Sequence, residues 1–132
     1  MKNIFEYIYY RLNKFYYKWD GPNGSTSAIG ISMVQMVMII NITIIPLRFY
    51  LGQSDLSNFL KKIDELIIVI LACLVFVNIR IYKDKYNTFT TRWQNETPKQ
   101  KRTRGFLVVM ALLTPWIIFI TFLIINSNLA KS

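Results

Sequence analysis

Nearly all of the charge in this chain lies outside three apolar blocks, at roughly 28–47, 63–82 and 106–125. Each block holds about 20 residues, and at ~1.5 Å of rise per residue a helix of that length matches a hydrocarbon core of ~30 Å. The remainder of the 132 residues is strongly basic, with a net charge of +9 although 53% of all residues are hydrophobic. Only segregation reconciles the two figures. The pattern predicts an all-α integral membrane protein, built as three transmembrane helices preceded by an amphipathic N-terminal helix. Seven segments follow: 1–24 interfacial or cytoplasmic helix and turn, 25–50 first span, 51–62 short external loop, 63–82 second span, 83–104 basic cytoplasmic loop or helical extension, 105–126 third span, and 127–132 short external tail.

In the leader, Ile4, Phe5, Ile8, Tyr9, Leu12, Phe15, Tyr16 and Trp19 recur at helical intervals. Lys14, Lys18 and other polar residues take much of the opposite face. Such a stripe suits a helix lying in the headgroup region, and equally one packed on the rest of the protein. The pairs Gly21-Pro22 and Asn23-Gly24 end it, and Ser25 or Ser27 is placed to cap the next helix. The first block, behind this long leader, is expected to stay in the membrane rather than be cleaved as a signal peptide. Pro46 is placed to kink or end it, and Arg48 and Tyr50 fall where a snorkelling cation and an interfacial ring belong.

The second block is the shortest, since Leu66 to Ile79 alone is only 14 residues. Charge decides that it crosses. Lys2, Arg11, Lys14 and Lys18, with the eight cations from Arg80 to Arg104, make 12 that share one side if it does. They face Arg48, Lys61, Lys62 and Lys131 on the other. By the positive-inside rule the 12 are cytoplasmic, which puts the N-terminus inside and the C-terminus outside. Beyond Ile79 the spacing of Tyr82, Tyr86, Phe89 and Trp93 continues as a helical seam, expected to pack on Leu12, Phe15, Tyr16 and Trp19 with Lys14, Lys18, Lys85 and Arg92 at its rim. The third helix starts with a capping box: Thr97 as cap, Pro98 at the first helical position and Gln100 three residues after the cap.

Lys99, Lys101, Arg102 and Arg104 therefore lie within two turns of the membrane face, where anionic headgroups attract each by ~1 kcal/mol. With Lys14, Lys18, Trp19, Arg92 and Trp93 they form the expected lipid- and partner-binding surface. Nucleic acid is disfavoured as a partner because no RNA- or DNA-binding motif accompanies the basic run. Within the spans, Ser32, Gln35 and Asn41 on the first helix, and Ala111, Thr114, Pro115, Trp116 and Thr121 on the third, are the expected packing residues. Gln35 or Asn41 also offers a route to a homo-oligomer. Pro115 cannot donate to the Ala111 carbonyl, so a kink is expected there.

The chemistry available is sparse. The sequence has no His, and its one cysteine, Cys73, lies in the middle of the second block, so His-based metal sites and an intramolecular disulfide are excluded. No charged side chain sits near the centre of a span, where proton relays and ion-coupled transporters keep one. No phosphate-binding loop, paired carboxylates or metal spacing is visible, and no cofactor is expected. The Asn-X-Ser/Thr triplets at Asn23, Asn41 and Asn95 fall inside or within the membrane and are not expected to carry glycans. Bias toward Ile, Asn, Lys, Tyr and Phe fits AT-rich codons and a bacterial cytoplasmic membrane. The expected role is a small non-enzymatic accessory or regulatory subunit; the alternative is a self-assembling, holin-like pore.

Overall fold

A two-residue connection fixes the central pairing of this molecule. The helix ending at Tyr50 is followed by Leu51 and Gly52, and the next begins at once with Gln53. Two long helices joined so closely must run antiparallel as neighbours. The computed structural model describes residues 4–21 and 24–131; Lys2, Pro22, Asn23 and Ser132 lie outside them, as does the side chain of Asp20. Five helices make up the fold: α1 (Ile4–Asp20), α2 (Ser25–Tyr50), α3 (Gln53–Tyr82), α4 (Tyr86–Trp93) and α5 (Pro98–Lys131). The described residues contain no strand. α2, α3 and α5 are each long and apolar enough to cross a membrane.

α2 is the hub. It packs against α3, α5 and α1, whereas α3 and α5 have little contact with each other among the described residues. Buried along it are Ser27, Ala28, Ile31, Ser32, Val34, Met36, Val37 and Ile44. Small residues in this set let the neighbouring backbones approach closely, which is how helices associate where lipid removes the hydrophobic drive. Polar bonds then fix the pairings. Asn78 Nδ2 on α3 donates to Ser32 Oγ (2.9 Å) and to Gln35 Oε1 (2.8 Å), and Ser32 Oγ itself donates to the Ala28 carbonyl. Toward α5, Asn41 Nδ2 donates to the Pro115 carbonyl (2.9 Å) and Arg48 Nε to Asn126 Oδ1 (2.6 Å).

Several expected boundaries move. Residues 53–62 were expected as a loop but form the first turns of α3, because the only breaker is Gly52 and Leu56, Phe59, Leu60 and Ile63 recur at helical spacing. Pro46 does not end α2, which continues to Tyr50. The seam after Ile79 does not continue as one helix: Asp84 adopts a left-handed backbone (φ 61°) and Lys85 N–H turns back to the Tyr82 carbonyl (3.1 Å). Asp tolerates that region better than most residues, because its short polar chain bonds locally. The chain resumes as α4. α5 in turn includes the basic run 99–104 and extends through Lys131, past the expected end at 126. Its start is as read: Gln100 N–H reaches Thr97 Oγ1 and Thr97 N–H reaches Gln100 Oε1, both at 3.2 Å.

Asn78 should be the polar residue on which the α2–α3 pairing depends most. Asn78→Ala should lower resistance to unfolding in detergent by roughly 1 kcal/mol, in line with interhelical bonds in membranes. Phe76→Ala, at an exposed position on the same helix, should change it by much less. Equal effects would show that Asn78 does not order the pair.

Candidate functional site

The end of the molecule that carries α1, α4, the last turn of α3 and the first turns of α5 combines aromatic rings with most of the cations. Its interior is an aromatic stack. Tyr9 lies parallel to Tyr82, with ring centroids 4.6 Å apart. Tyr7 meets Trp93 edge-on at 5.0 Å, and Tyr10 meets it at 5.2 Å. Phe89 joins through Tyr9, Tyr82 and Trp93. Pairs of this kind are worth about 0.5–1.5 kcal/mol each beyond the area they bury. A seam on α4 does therefore cover itself with α1, chiefly through Tyr7, Tyr9 and Tyr10, with Tyr17 beside Tyr86; of the four residues expected, Leu12 packs on the edge of this core, and Phe15, Tyr16 and Trp19 are not part of it. Phe15 and Trp19 are each 70% exposed. The break at Asp84 is the reason: it re-aims α4 so that its rings meet the middle turns of α1.

Two ion pairs tie the pieces together. Arg92 Nη1 contacts Glu6 Oε2 at 2.7 Å, joining α4 to α1, while the same guanidinium lies 5.4 Å from the ring centroids of both Phe89 and Trp93. This pair is well exposed and contributes little on its own, at most about 1 kcal/mol. The second is more consequential. Glu96, in the turn between α4 and α5, accepts from Arg104 Nη1 (2.6 Å) on one oxygen and from the Tyr7 hydroxyl (3.1 Å) on the other. Its side chain is 7% exposed, so removal of Arg104 leaves a buried carboxylate short of its cation, a loss on the order of 3–5 kcal/mol. Burial, reinforced by the Glu96 charge, pushes the Tyr7 hydroxyl up to about 12, so it stays a neutral donor. Tyr10 is also raised, chiefly by burial.

Glycine is required at one contact, and at a second it lets an arginine lie close. Gly24 has a left-handed backbone (φ 61°), and a β-carbon there would collide with the Tyr9 hydroxyl. At Gly105 a β-carbon would stand 2.8 Å from an Arg11 guanidinium nitrogen. Beside Gly24 the amide of Asn13 and the hydroxyl of Ser27 are buried without a hydrogen-bond partner, and nothing in the fold accounts for them.

The expected site residues separate into three groups. Trp93 is buried in the stack, and Arg92 and Arg104 are committed to Glu6 and Glu96. Lys14, Lys18, Trp19, Lys99, Lys101 and Arg102 are exposed, with Lys14 Nζ 5.9 Å from the Tyr10 ring centroid. Among the packing residues, Ser32, Gln35, Asn41, Ala111 and Pro115 lie between helices, whereas Thr114, Trp116 and Thr121 are exposed. The inward face of α5 keeps Ala111 and Pro115 from the expected set and adds Val108, one turn or two apart, in place of Thr114, Trp116 and Thr121. Cys73 is exposed on α3. The sequence reading missed Tyr7, Tyr10 and Glu96 altogether. One signal was present for Glu96, which is with Asp84 one of only two acids in the basic stretch 80–104.

If the stack holds α4 in place, Trp93→Ala should cost about 3–5 kcal/mol locally and leave the three long helices intact. Limited proteolysis of the membrane-embedded protein should then cut between Lys83 and Lys101 much faster than in the wild type. Unchanged cleavage would mean that α4 is held by other contacts.

No known protein family, no curated protein and no solved structure matches this chain.

Proposed function

We propose that this is a small non-enzymatic membrane protein, an accessory or regulatory subunit of a bacterial cytoplasmic membrane, which docks a partner through the outer surface of its basic end. The observation that carries the proposal is what the aromatic stack leaves outside. Phe15 and Trp19 stand exposed on α1 next to Lys14 and Lys18; the two rings touch only Tyr16 of the same helix, and neither lysine has a carboxylate partner among the described residues. Exposed large rings beside unpaired cations are the composition of a protein interface, where aromatic anchors carry most of the energy. Lys99, Lys101 and Arg102 extend the positive surface along the first turns of α5. A partner that offers an acidic rim around an apolar pocket has the matching chemistry.

The same end gathers Arg11, Lys14, Lys18 and the eight cations of 80–104, so the positive-inside rule makes it cytoplasmic and places Lys131 outside. α1 then runs back along α2, its Ile4 end beside the apolar part of the spans and its Trp19 end at the inner membrane surface, where the exposed rings are available to headgroups or to a partner. The holin-like alternative has less support. Gln35 and the Asn41 amide nitrogen, the groups best suited to bond a second copy, are engaged by Asn78 and Pro115 of the same chain, although Asn41 Oδ1 has no partner among the described residues. The charged groups are at the ends, not along a span.

A photo-crosslinking amino acid at Trp19 should give a defined protein adduct in native membranes, reduced strongly by Lys14→Ala/Lys18→Ala; the same probe at exposed Phe106 on α5 should label lipid. A topology reporter after Ser132 should be active only outside the cytoplasm, and one at Asn95 only inside. Absence of any Trp19 adduct, together with ion leakage from liposomes containing the pure protein, would replace the docking reading with the pore.

A further inference from the structure

We propose that Arg11, with the groove that opens beside it, forms a binding site for one anionic phospholipid. The proposal does not rest on the docking surface above, and it uses residues that surface does not. Arg11 is half-buried, yet it makes no ion pair with any described carboxylate, although the two other arginines nearby, Arg92 and Arg104, each have one. An arginine that is partly covered and has no carboxylate partner among the described residues is placed to take an anion from outside the chain. Its fork is suited to a phosphate, which it holds through two parallel bonds.

The position of Arg11 defines the kind of anion. Its guanidinium lies against Gly105, the last residue before the apolar run of α5, and Gly105 lacks the β-carbon that would push it away. Arg11 is also one turn beyond Ile8 and two beyond Ile4, on the same face of α1. Those two residues line a groove of about 510 Å³ together with Val34 and Met38 of α2 and Leu107 and Met110 of α5. Arg11 is not part of the wall but stands one turn along α1 from Ile8, which is; from there the groove extends along the two spanning helices to Asn41 and Pro115, away from the basic end. Its walls are almost wholly apolar and it is open on one side, with Ile4, Met38, Leu107 and Met110 all partly exposed along it. A free phosphate has no use for such a wall and a neutral lipid has no use for Arg11. An anionic phospholipid uses both, with its phosphate on Arg11 and an acyl chain in the groove, at the depth where each group belongs in a bilayer.

The test is native mass spectrometry of the purified protein after exchange into micelles carrying equimolar phosphatidylglycerol and phosphatidylcholine. Wild type should retain one phosphatidylglycerol in preference to phosphatidylcholine. Arg11→Ala should weaken that retention by about tenfold or more, the worth of a charge-assisted contact. Gly105→Ala, which displaces the guanidinium, should do the same, while Lys83→Ala, an exposed cation at the same end, should retain the lipid as wild type does. Met38→Trp, which leaves Arg11 in place and fills the groove, should reduce retention of both lipids, and it keeps the test meaningful if Arg11→Ala fails to fold. Equal retention of the two lipids by wild type would overturn the assignment. So would undiminished phosphatidylglycerol binding in either Arg11→Ala or Met38→Trp.

Discussion

Asn78 bonds α3 to α2 at a single height, and much of the molecule is set by that height. Its amide reaches both Ser32 and Gln35, so α3 cannot slide along α2 by a turn without leaving polar groups unpaired in an apolar surrounding. In lipid that penalty falls on the pairing alone, because apolar side chains gain little by leaving lipid for another helix. One turn beyond Asn78 the register delivers Tyr82 onto Tyr9, and through Tyr9 it positions α1. The aromatic end is thus ordered by a polar contact in the neighbouring apolar layer.

From Tyr82 onward, order depends on close approach. α1 folds back along α2 because Gly24 gives a left-handed turn with no side chain in the path of Tyr9, and Leu12 settles on Gly30, where a β-carbon would sit in ordinary contact. α5 approaches α1 at Gly105 for a similar reason. Glu96 then closes the end of the bundle: it draws Arg104 from α5 and Tyr7 from α1 onto one carboxylate. Basic residues at this end are for that reason not equivalent. Arg92 and Arg104 are structural, Arg11 is half-buried with no ion pair among the described residues, and the lysines with Arg102 face outward.

The outward surfaces differ in the same way. Along the apolar stretches of α3 and α5 the large exposed side chains are mostly aliphatic or Phe, such as Ile68, Phe76, Ile117 and Ile124, which suits contact with acyl chains. Phe15 and Trp19 lie instead beside lysines at the basic end. Rings placed at such a boundary serve lipid headgroups and protein partners by the same physics, an apolar body with charge around it. A direct comparison of what touches Trp19 with what touches Phe106 therefore separates the two uses.

The amino-acid pattern alone determined the features that depend on local composition. Three apolar blocks near 20 residues give three long helices, and the Thr97–Gln100 capping box starts α5 where its spacing says it should. The ring spacing from Tyr82 to Trp93 likewise announced a buried seam. Tertiary structure decided the rest, because each remaining feature depends on partners distant in the chain. A left-handed residue at Asp84 is compatible with its sequence but not demanded by it, and the turn it makes redirects α4 onto Tyr7 and Tyr10. The spacing of α1 puts Phe15 on the apolar stripe and leaves Tyr7 off it, the reverse of what is found, because contact with α4 buries Tyr7 and leaves Phe15 exposed. Glu96 is 89 residues from Tyr7. A carboxylate in a basic stretch can pair with any of several cations, and the packed chain makes the choice.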